Sequence, residues 1–508
     1  MDVKSLLTEQ ARKFGEKNAL LFEEKEFTFL EVKDYSFKLA NYLLSSGLKG
    51  GEKVAIYLPN IPEAVFAFLG TFSISAVVVP LDFMLTEEEV INFLNHSEAK
   101  MLIAHPKKGI DFSRVINSCS NLEKIITCGK NTAGYQLWDS VIKSSSSRLP
   151  SSSFRENSLS SIFYTSGSTG HPKGVMLDYS HLDNPPEVLN YYLKGSDRDV
   201  YLCAGVPFSH IGGLDYILMM IYFGATLVLM ERFMPLEFLR NIEKHKVTIF
   251  CIVPAMYVAI LSLKGYDKFE LSSLRYAVVF GAPSSDILLR RFHKICPNAT
   301  VLNGWGMTET AAPNTYSPSD ENKLASIGNF GFNMEAKIID EKGNSLAENQ
   351  RGELLVRGKG VMRGYYKEEG LTRSALSEDG WLYTGDIALK DEEGLYYIVG
   401  RKKDMIKVAG EIVFSAEVEE KIQRYPQVKE CAVIGVEDKL RGEVPKAYIV
   451  TKEDKDIDIQ DLKSFLQTKL AHFKIPHYFE VLDELPKNRT GKIDKQVLKM
   501  NDVSPGGS

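Results

Sequence analysis

The sequence predicts an α/β protein in two parts: a large N-terminal domain of two packed, mostly parallel sheets with helices plus a small β region, and a small α+β C-terminal domain. Three observations predict it. Short β-branched runs alternate with helical patterns through the first half of the chain, the order that strand-helix-strand units require. Beyond Gly331 the pattern becomes short strands separated by tight turns. After Arg401 a further compact set of helices and strands follows, ending in a basic tail.

The elements follow in order. VAIYLP, the helical stretch Ile61 to Phe72, AVVVP, MLIAHP and IITCG give the first parallel sheet its alternation. Thr86, with Glu89 three residues later, forms a capping-box signature that opens a helix, because hydroxyl and carboxylate each satisfy an orphan backbone N–H. The Ser-rich stretch Ser144 to Ser153 reads as a surface loop between two blocks. SIFYT, DVYLCAG, TLVLM, TIFCIV and YAVVFG then predict a second sheet of similar construction, packed on the first. EAKIIDEKGN, GELLVRG and GLYYIVG predict the small antiparallel region. The last unit reads as helix Ser415 to Arg424, strands CAVIGV and PKAYIV, helix Ile459 to Ala471 and strand YFEVL, with SPGGS a disordered end.

Composition bounds the function. The 508 residues are 44% apolar, enough for a large core, and carry a net charge of −5 with no long block of one sign, so nucleic acid is not an expected partner. Small anionic ligands must be met by local groups. The apolar stretch Ile217 to Met230 is broken by Gly224 and falls short of the ~20 residues a membrane helix needs, so it reads as a buried helix running into a strand. The N-terminus lacks the apolar core of a secretion signal, and the six cysteines lie apart without metal or disulfide spacing. The expectation is a soluble cytoplasmic protein with reduced thiols, without a transmembrane segment, compatible with peripheral membrane contact, and a monomer or homodimer.

The sharpest local signal is Tyr164-Thr-Ser-Gly-Ser-Thr-Gly-His-Pro-Lys-Gly174, directly after a strand. Its glycines let the backbone approach a ligand. Thr165, Ser166, Ser168 and Thr169 add hydroxyls, and Lys173 a positive charge, a combination suited to phosphates. It is not the G-x-x-x-x-G-K-[ST] loop, since Lys173 lies three residues after Gly170. Further along stand Pro207-Phe-Ser-His-Ile-Gly-Gly213, Gly281-Ala-Pro283, Asn303-Gly-Trp-Gly-Met-Thr-Glu-Thr310, Tyr383-Thr-Gly-Asp386, Gly400-Arg-Lys-Lys-Asp-Met-Ile-Lys407 and Pro486-Lys-Asn-Arg-Thr-Gly-Lys492.

Together, and in this order, these segments resemble the signatures of the adenylate-forming superfamily, which holds acyl- and aryl-CoA ligases, luciferases and the adenylation domains of nonribosomal peptide synthetases. The resemblance covers almost the whole chain. It implies an ATP-dependent carboxylic acid–CoA ligase with Mg²⁺ as cofactor and with ATP, CoA and a small carboxylic acid as substrates. It implies an adenylation domain over 1–402 and a mobile C-terminal domain over 403–508, hinged at Lys403. By resemblance, ATP would meet Thr165, Ser166, Gly167, Ser168, Thr169, Gly170 and Lys173 at its phosphates. Gly281, Ala282, Pro283, Asn303, Gly304, Trp305, Gly306 and Thr308 would border its adenine and α-phosphate, and Asp386, Ile398 and Arg401 its sugar. Glu309, a hard oxygen ligand, would hold Mg²⁺ with Thr165. His210 would border the acyl pocket near the reacting carboxylate, and Lys492, Thr308 and Glu309 would serve the chemistry. Lys407 and Gly410 would flank the tunnel for CoA.

The acid expected from the apolar text after His210 is a medium- or long-chain fatty acid, with no charged residue there to pair with an amino group. An aryl acid is the second reading, a stand-alone amino-acid adenylation enzyme the third. An inactive nucleotide-binding regulator is the alternative of a different class. The text of Asp178 to Tyr192, with Asp183, Asn184, Pro185 and Pro186, departs from the family's usual form and reads as a pocket loop.

Overall fold

A computed structural model describes residues 1–129, 135–165, 173–281, 286–438, 440–452, 456–487 and 492–502. Among the described residues the chain forms four sheets. The first runs Gly364–Tyr365, Lys173–Asp178, Leu159–Thr165, Val77–Pro80, Lys53–Tyr57, Met101–Ala104, Lys124–Thr127, Gln136–Leu137. It is parallel from Leu159–Thr165 onward and antiparallel at the other edge. The second runs Thr315–Tyr316, Thr300–Trp305, Tyr276–Val279, Ile249–Ile252, Val200–Ala204, Thr226–Met230, Asn18–Phe22, Lys25–Thr28, with a parallel centre and antiparallel edges.

The two blocks do not divide at the Ser-rich loop as the sequence order suggested. SIFYT pairs with Val77–Pro80 in the first sheet, and Asn18–Phe22 crosses to lie beside Thr226–Met230 in the second. Strand pairing is decided by which buried ladders match, and a strand buried on both faces carries little record of its partner.

The main core lies between these sheets, where helices Phe29–Ser45, Pro62–Ser73 and Ile211–Phe223 bury Phe66, Phe68, Phe72, Leu214 and Ile217. Thr86 and Glu89 form the expected capping box on Glu87–Ser97. The stretch Ile217 to Met230 is the end of a buried helix followed by a strand. Asp178 to Tyr192 differs from expectation: it is a 3-10 turn running into helix Asn184–Leu193, with Pro185 and Pro186 in the first turn, where missing N–H donors cost nothing. Five of the six cysteines are buried, Cys251 is half-buried, and all are free.

Two smaller sheets complete the molecule. Met334–Ile339, Gly352–Gly358, Leu382–Lys390 and Tyr396–Arg401 form an antiparallel sheet. Glu411–Phe414, Met405–Val408, Gly442–Thr451 and Val428–Asp438 form another, with Tyr478–Val481 added in parallel. Helices Ser415–Gln423 and Ile459–Gln467 cover it with a core of its own, including Val418, Ile422, Val433, Leu462 and Leu466. The second helix stops short of Ala471. Polar contacts tie this separate module to the antiparallel sheet, among them the ion pairs Arg351–Glu417 and, at the connection, Lys402–Glu353.

Candidate active site

In an open parallel sheet, ligands gather at the carboxyl ends of the strands, because the loops that leave those ends are free to differ. The sequence motifs fall there. Thr165 ends Leu159–Thr165, Gly205 to His210 follow Val200–Ala204, Gly281 closely follows Tyr276–Val279, and Gly306 to Glu309 follow Thr300–Trp305. Thr165 and Lys173 are partners across an antiparallel ladder. Ser166, Gly167, Ser168, Thr169 and Gly170, and likewise Ala282 and Pro283, lie outside the described residues.

Glycine is required at three of these points. Gly281 has φ +86°, a left-handed conformation that costs other residues strain. A Cβ on Gly304 would come within 2.5 Å of the Phe280 ring, and one on Gly306 within 2.6 Å of Ala312. The strand therefore packs flush against its neighbours while its end opens into the cleft.

Lys492 lies beside Gly281, within electrostatic reach of Arg401, Asp386 and Lys403. A Cβ placed on Gly281 would lie 3.5 Å from the Lys492 Nζ, so the lysine of the C-terminal module reaches the end of the second sheet. Burial lowers its ammonium to about 8, with Arg401 and Lys403 adding repulsion and Asp386 opposing them. His210, at the start of helix Ile211–Phe223, is pushed down to about 4 by burial and then by Lys492, so its imidazole is neutral at physiological pH. A lysine with a depressed pKa among cations, in a cleft, is a site prepared for an anion.

Asp386 is 3% exposed and held by three neighbours. Its Oδ2 accepts from the Trp305 indole N–H at 2.9 Å, and its backbone N–H donates to the Thr384 hydroxyl at 3.1 Å. Arg401, its partner across the ladder, places Nε 2.8 Å from Oδ1. That contact is an ion pair off the line of a hydrogen bond, so Oδ1 can still accept one. Ile398, nearby on Tyr396–Arg401, packs against the main core.

Glu309 is fixed by a residue outside every motif, Tyr365. Tyr365 donates its hydroxyl to Glu309 Oε1 at 3.0 Å, while the Lys173 ammonium lies 5.3 Å from the centre of its ring. Burial, and then Glu309, raises the Tyr365 phenol well above its ordinary value, so it stays a donor. The Glu309 carbonyl accepts from the Met362 N–H at 2.8 Å. No described residue bonds to Oε2 of Glu309. Thr308 is half-buried beside it, in the turn Thr308–Thr310. Asn303 is turned inward: its backbone N–H donates to Ser317 and its side-chain amide to the Ser326 carbonyl.

Not every expected residue reaches the cleft. Lys407 and Gly410 belong to the hairpin Met405–Val408 to Glu411–Phe414 and are exposed. The Lys407 N–H donates to the Glu443 carboxylate at 2.9 Å, and Gly410, at φ +92°, would meet nothing within 4 Å if it carried a Cβ. Lys403 is exposed in the turn Lys402–Asp404. Among the described residues no three metal-ligating side chains cluster, and no helix is long and apolar enough to cross a membrane.

One group departs from the sequence reading. Asp215 lies five residues after His210 on the apolar helix, in the stretch expected to offer no charge, and is 7% exposed. The signal for it in the sequence is a lone carboxylate among so many apolar residues.

The AMP-binding enzyme family model matches residues 7–366, and the AMP-binding enzyme C-terminal domain matches 417–492. The long-chain-fatty-acid–CoA ligase of Bacillus subtilis is 31% identical, over 98% of this chain and 94% of that one. The solved anthranilate CoA ligase AuaEII, in complex with anthranoyl-AMP, superposes with a TM-score of 0.92 at 26% identity, over 99% and 97% of the two chains. O-succinylbenzoate coenzyme A synthetase of Bacillus subtilis, in complex with ATP and magnesium ion, gives 0.85 at 29% identity, over 97% and 99%. The chain thus belongs to the AMP-binding enzyme family, within the adenylate-forming superfamily that its motifs resemble, and is an enzyme of the acid–thiol ligase class.

Proposed function

We propose that the chain joins a carboxylic acid to CoA through an acyl-adenylate. The observation that carries this reading is the meeting of Lys492 with Gly281, His210, Asp386 and Arg401 at the end of the second sheet. A carboxylate is a poor acylating agent, because its leaving oxygen is too basic. In the first step a carboxylate oxygen attacks the α-phosphorus of ATP, the bond to the bridging oxygen breaks, and pyrophosphate leaves. In the second the thiol sulfur attacks the acyl carbon, AMP leaves, and the thiol proton passes to solvent.

No protein nucleophile is needed. The work is to hold two anions in line and to neutralise charge as it gathers. Lys492 would bridge the carboxylate and the α-phosphate, with Thr308 donating to the latter. Lys173, with Thr165, Ser166, Gly167, Ser168, Thr169 and Gly170, would hold the outer phosphates, and Gly281, Ala282 and Pro283 would face the adenine. Asp386 would accept from the sugar hydroxyls through its unfilled Oδ1, with Arg401 alongside.

Mg²⁺ fits the donors present: among the described residues one oxygen of Glu309 has no hydrogen-bond partner, Thr165 adds a hydroxyl, and this cation takes few protein carboxylates beside phosphate oxygens. When bound it would offset the charge of the triphosphate. The thiol step needs Lys492 withdrawn, and we place that hinge at Lys403, dividing 1–402 from 403–508. Arg351–Glu417 and Lys402–Glu353 are solvent-facing ion pairs of ~0–1 kcal/mol each, weak enough to exchange. Rotation would bring Lys407 and Gly410 to the CoA path. Buried reduced thiols accord with a cytoplasmic location.

The fatty-acid expectation rested in part on an uncharged stretch after His210, and Asp215 interrupts that stretch. The test of the general reading is exchange of labelled pyrophosphate into ATP across fatty, aromatic and dicarboxylic acids, followed by thioester formation with CoA. Exchange with at least one acid is expected. Nucleotide binding without exchange for any of them would favour the regulator instead.

A further inference from the structure

Asp215 is the only residue with an ionisable side chain among the acidic and basic types in helix Ile211–Phe223, and the helix buries ten of its residues against the core. Its Oδ1 is sealed from solvent and has no hydrogen-bond partner among the described residues. Among the described residues three phenols share that condition, Tyr201, Tyr257 and Tyr316; Tyr257 belongs to a separate core cluster, while Tyr201 and Tyr316 lie with Asp215. Tyr201 on Val200–Ala204 and Tyr316 at the sheet edge belong with Leu214, Ile217 and Leu302 to the core between the second sheet and this helix. Burial, then Cys251, then Asp215 and Tyr201 raise the Tyr316 phenol, so these groups feel one another's charge.

Native interiors leave few polar groups unmet, and three orphan oxygens in one cluster need a reason. Packing alone supplies none, since Leu or Phe would fill the same space without the cost. The cluster adjoins the cleft. A Cβ on Gly304 would meet Phe280 at 2.5 Å and Tyr316 at 3.3 Å, and Tyr316 is the ladder partner of Gly304, so it stands beside the strand that ends at Trp305. Cys251, Tyr276 and Phe280 on this face are only half-buried, and Asp215 itself keeps 7% exposure. His210, beside Lys492, begins the same helix, so its first turns run from the reacting end of the cleft to Asp215.

We infer that the far end of the acyl pocket is polar, and that the acid this protein activates carries a hydrogen-bond donor which Asp215 accepts, with Tyr201 and Tyr316 as its neighbours. The inference rests on the acid–CoA ligase reading and adds the class of acid: hydroxy- or amino-substituted rather than plainly aliphatic. A donor there would fill the orphan Oδ1, whereas a methyl end would leave it bare. Sites built around a substrate hydroxyl reject the analogue that lacks it, because the buried partner is then stranded.

The test uses the full chain and sets of acids matched in length, differing only in hydrogen, hydroxyl or amino at the distal carbon. Pyrophosphate exchange and the shift in melting temperature on adding each acid are measured for the wild type, Asp215→Asn and Asp215→Leu. In the wild type the substituted acid is expected to exceed its plain analogue at least about tenfold in kcat/KM, the equivalent of one hydrogen bond to a buried group. Asp215→Leu should erase or invert that preference while still exchanging with the plain acid, and should melt higher without ligand, since it removes an orphan carboxyl. Hydroxyl and amino arms decide which donor is taken. A wild-type preference for the plain acid, or the same ratio in all three proteins, overturns the inference though exchange itself succeeds. If no acid supports exchange, the ligase reading fails by itself, and equal melting shifts for substituted and plain acids in wild type and Asp215→Leu then overturn the polar pocket too.

Discussion

Two buried aspartates, one on strand Leu382–Lys390 and one on helix Ile211–Phe223, are treated in opposite ways by the fold. Asp386 has an indole donor on one oxygen, a guanidinium beside the other and a hydroxyl on its backbone N–H. Asp215 has one oxygen that no described residue meets with a hydrogen bond. The first is a part preorganised before any ligand arrives, with its charge already compensated and its direction fixed. The second is a debt that the protein alone leaves unsettled, and stays tolerable only because burial drives its carboxyl toward the neutral form. A site can thus be read from its unsatisfied atoms as well as from its satisfied ones.

Predictions that break or sharpen this contrast range from large to small. Lys492→Ala should lower pyrophosphate exchange by ~10²- to 10³-fold, as loss of one preorganised donor does, while leaving thioester formation from supplied acyl-AMP. Equal loss of both half-reactions would refute the two-state account of the module. Asp386→Ala removes the acceptor of Trp305 and the partner of Arg401 together. With ~1–3 kcal/mol for a stranded buried group, the KM for ATP should rise by ~10- to 100-fold, read in steady-state kinetics. An unchanged KM would show that its compensation is structural only.

The pH profile comes next in size. Lys492 carries its charge below about 8 and loses it above. Exchange measured at limiting ATP should therefore fall as pH rises through that value. At saturating ATP the fall should move upward, because bound anions favour the ammonium. A profile identical under both conditions would detach Lys492 from the anion. Smallest is Tyr365→Phe. It deletes the hydroxyl on Glu309 but keeps the ring under Lys173, so ~1 kcal/mol, or about fivefold in kcat/KM, is expected, with the loss concentrated in the dependence on Mg²⁺ concentration.

The parts legible in the sequence were those set by local chemistry. The Thr86 capping box, the helix into strand at Ile217 to Met230 and the antiparallel turns after Gly331 all follow from residues a few positions apart. The residues that meet at the cleft were legible through motifs, because each lies at a strand end where the chain must turn. What could not be read depends on distant partners. Tyr365 matters because Gly364–Tyr365 lies beside Lys173–Asp178, which no spacing announces. SIFYT pairs in the first sheet rather than the expected second for the same reason, and Asp178 to Tyr192, expected as a loop, runs into a helix whose first turn holds the prolines. Asp215 differs from these: its letter was plain, and only its lack of a partner gave it meaning.

The crossing of Asn18–Phe22 into the far sheet also governs how the molecule can be made. Leu20 cannot find its ladder until Leu227 has left the ribosome, and the edge pair Gly364–Tyr365 must return to Lys173–Asp178 later still. Such distant closures slow folding and keep apolar strand edges waiting in the open. Fragments cut at the Ser-rich loop should then aggregate rather than fold, although that loop looks like the natural place to cut.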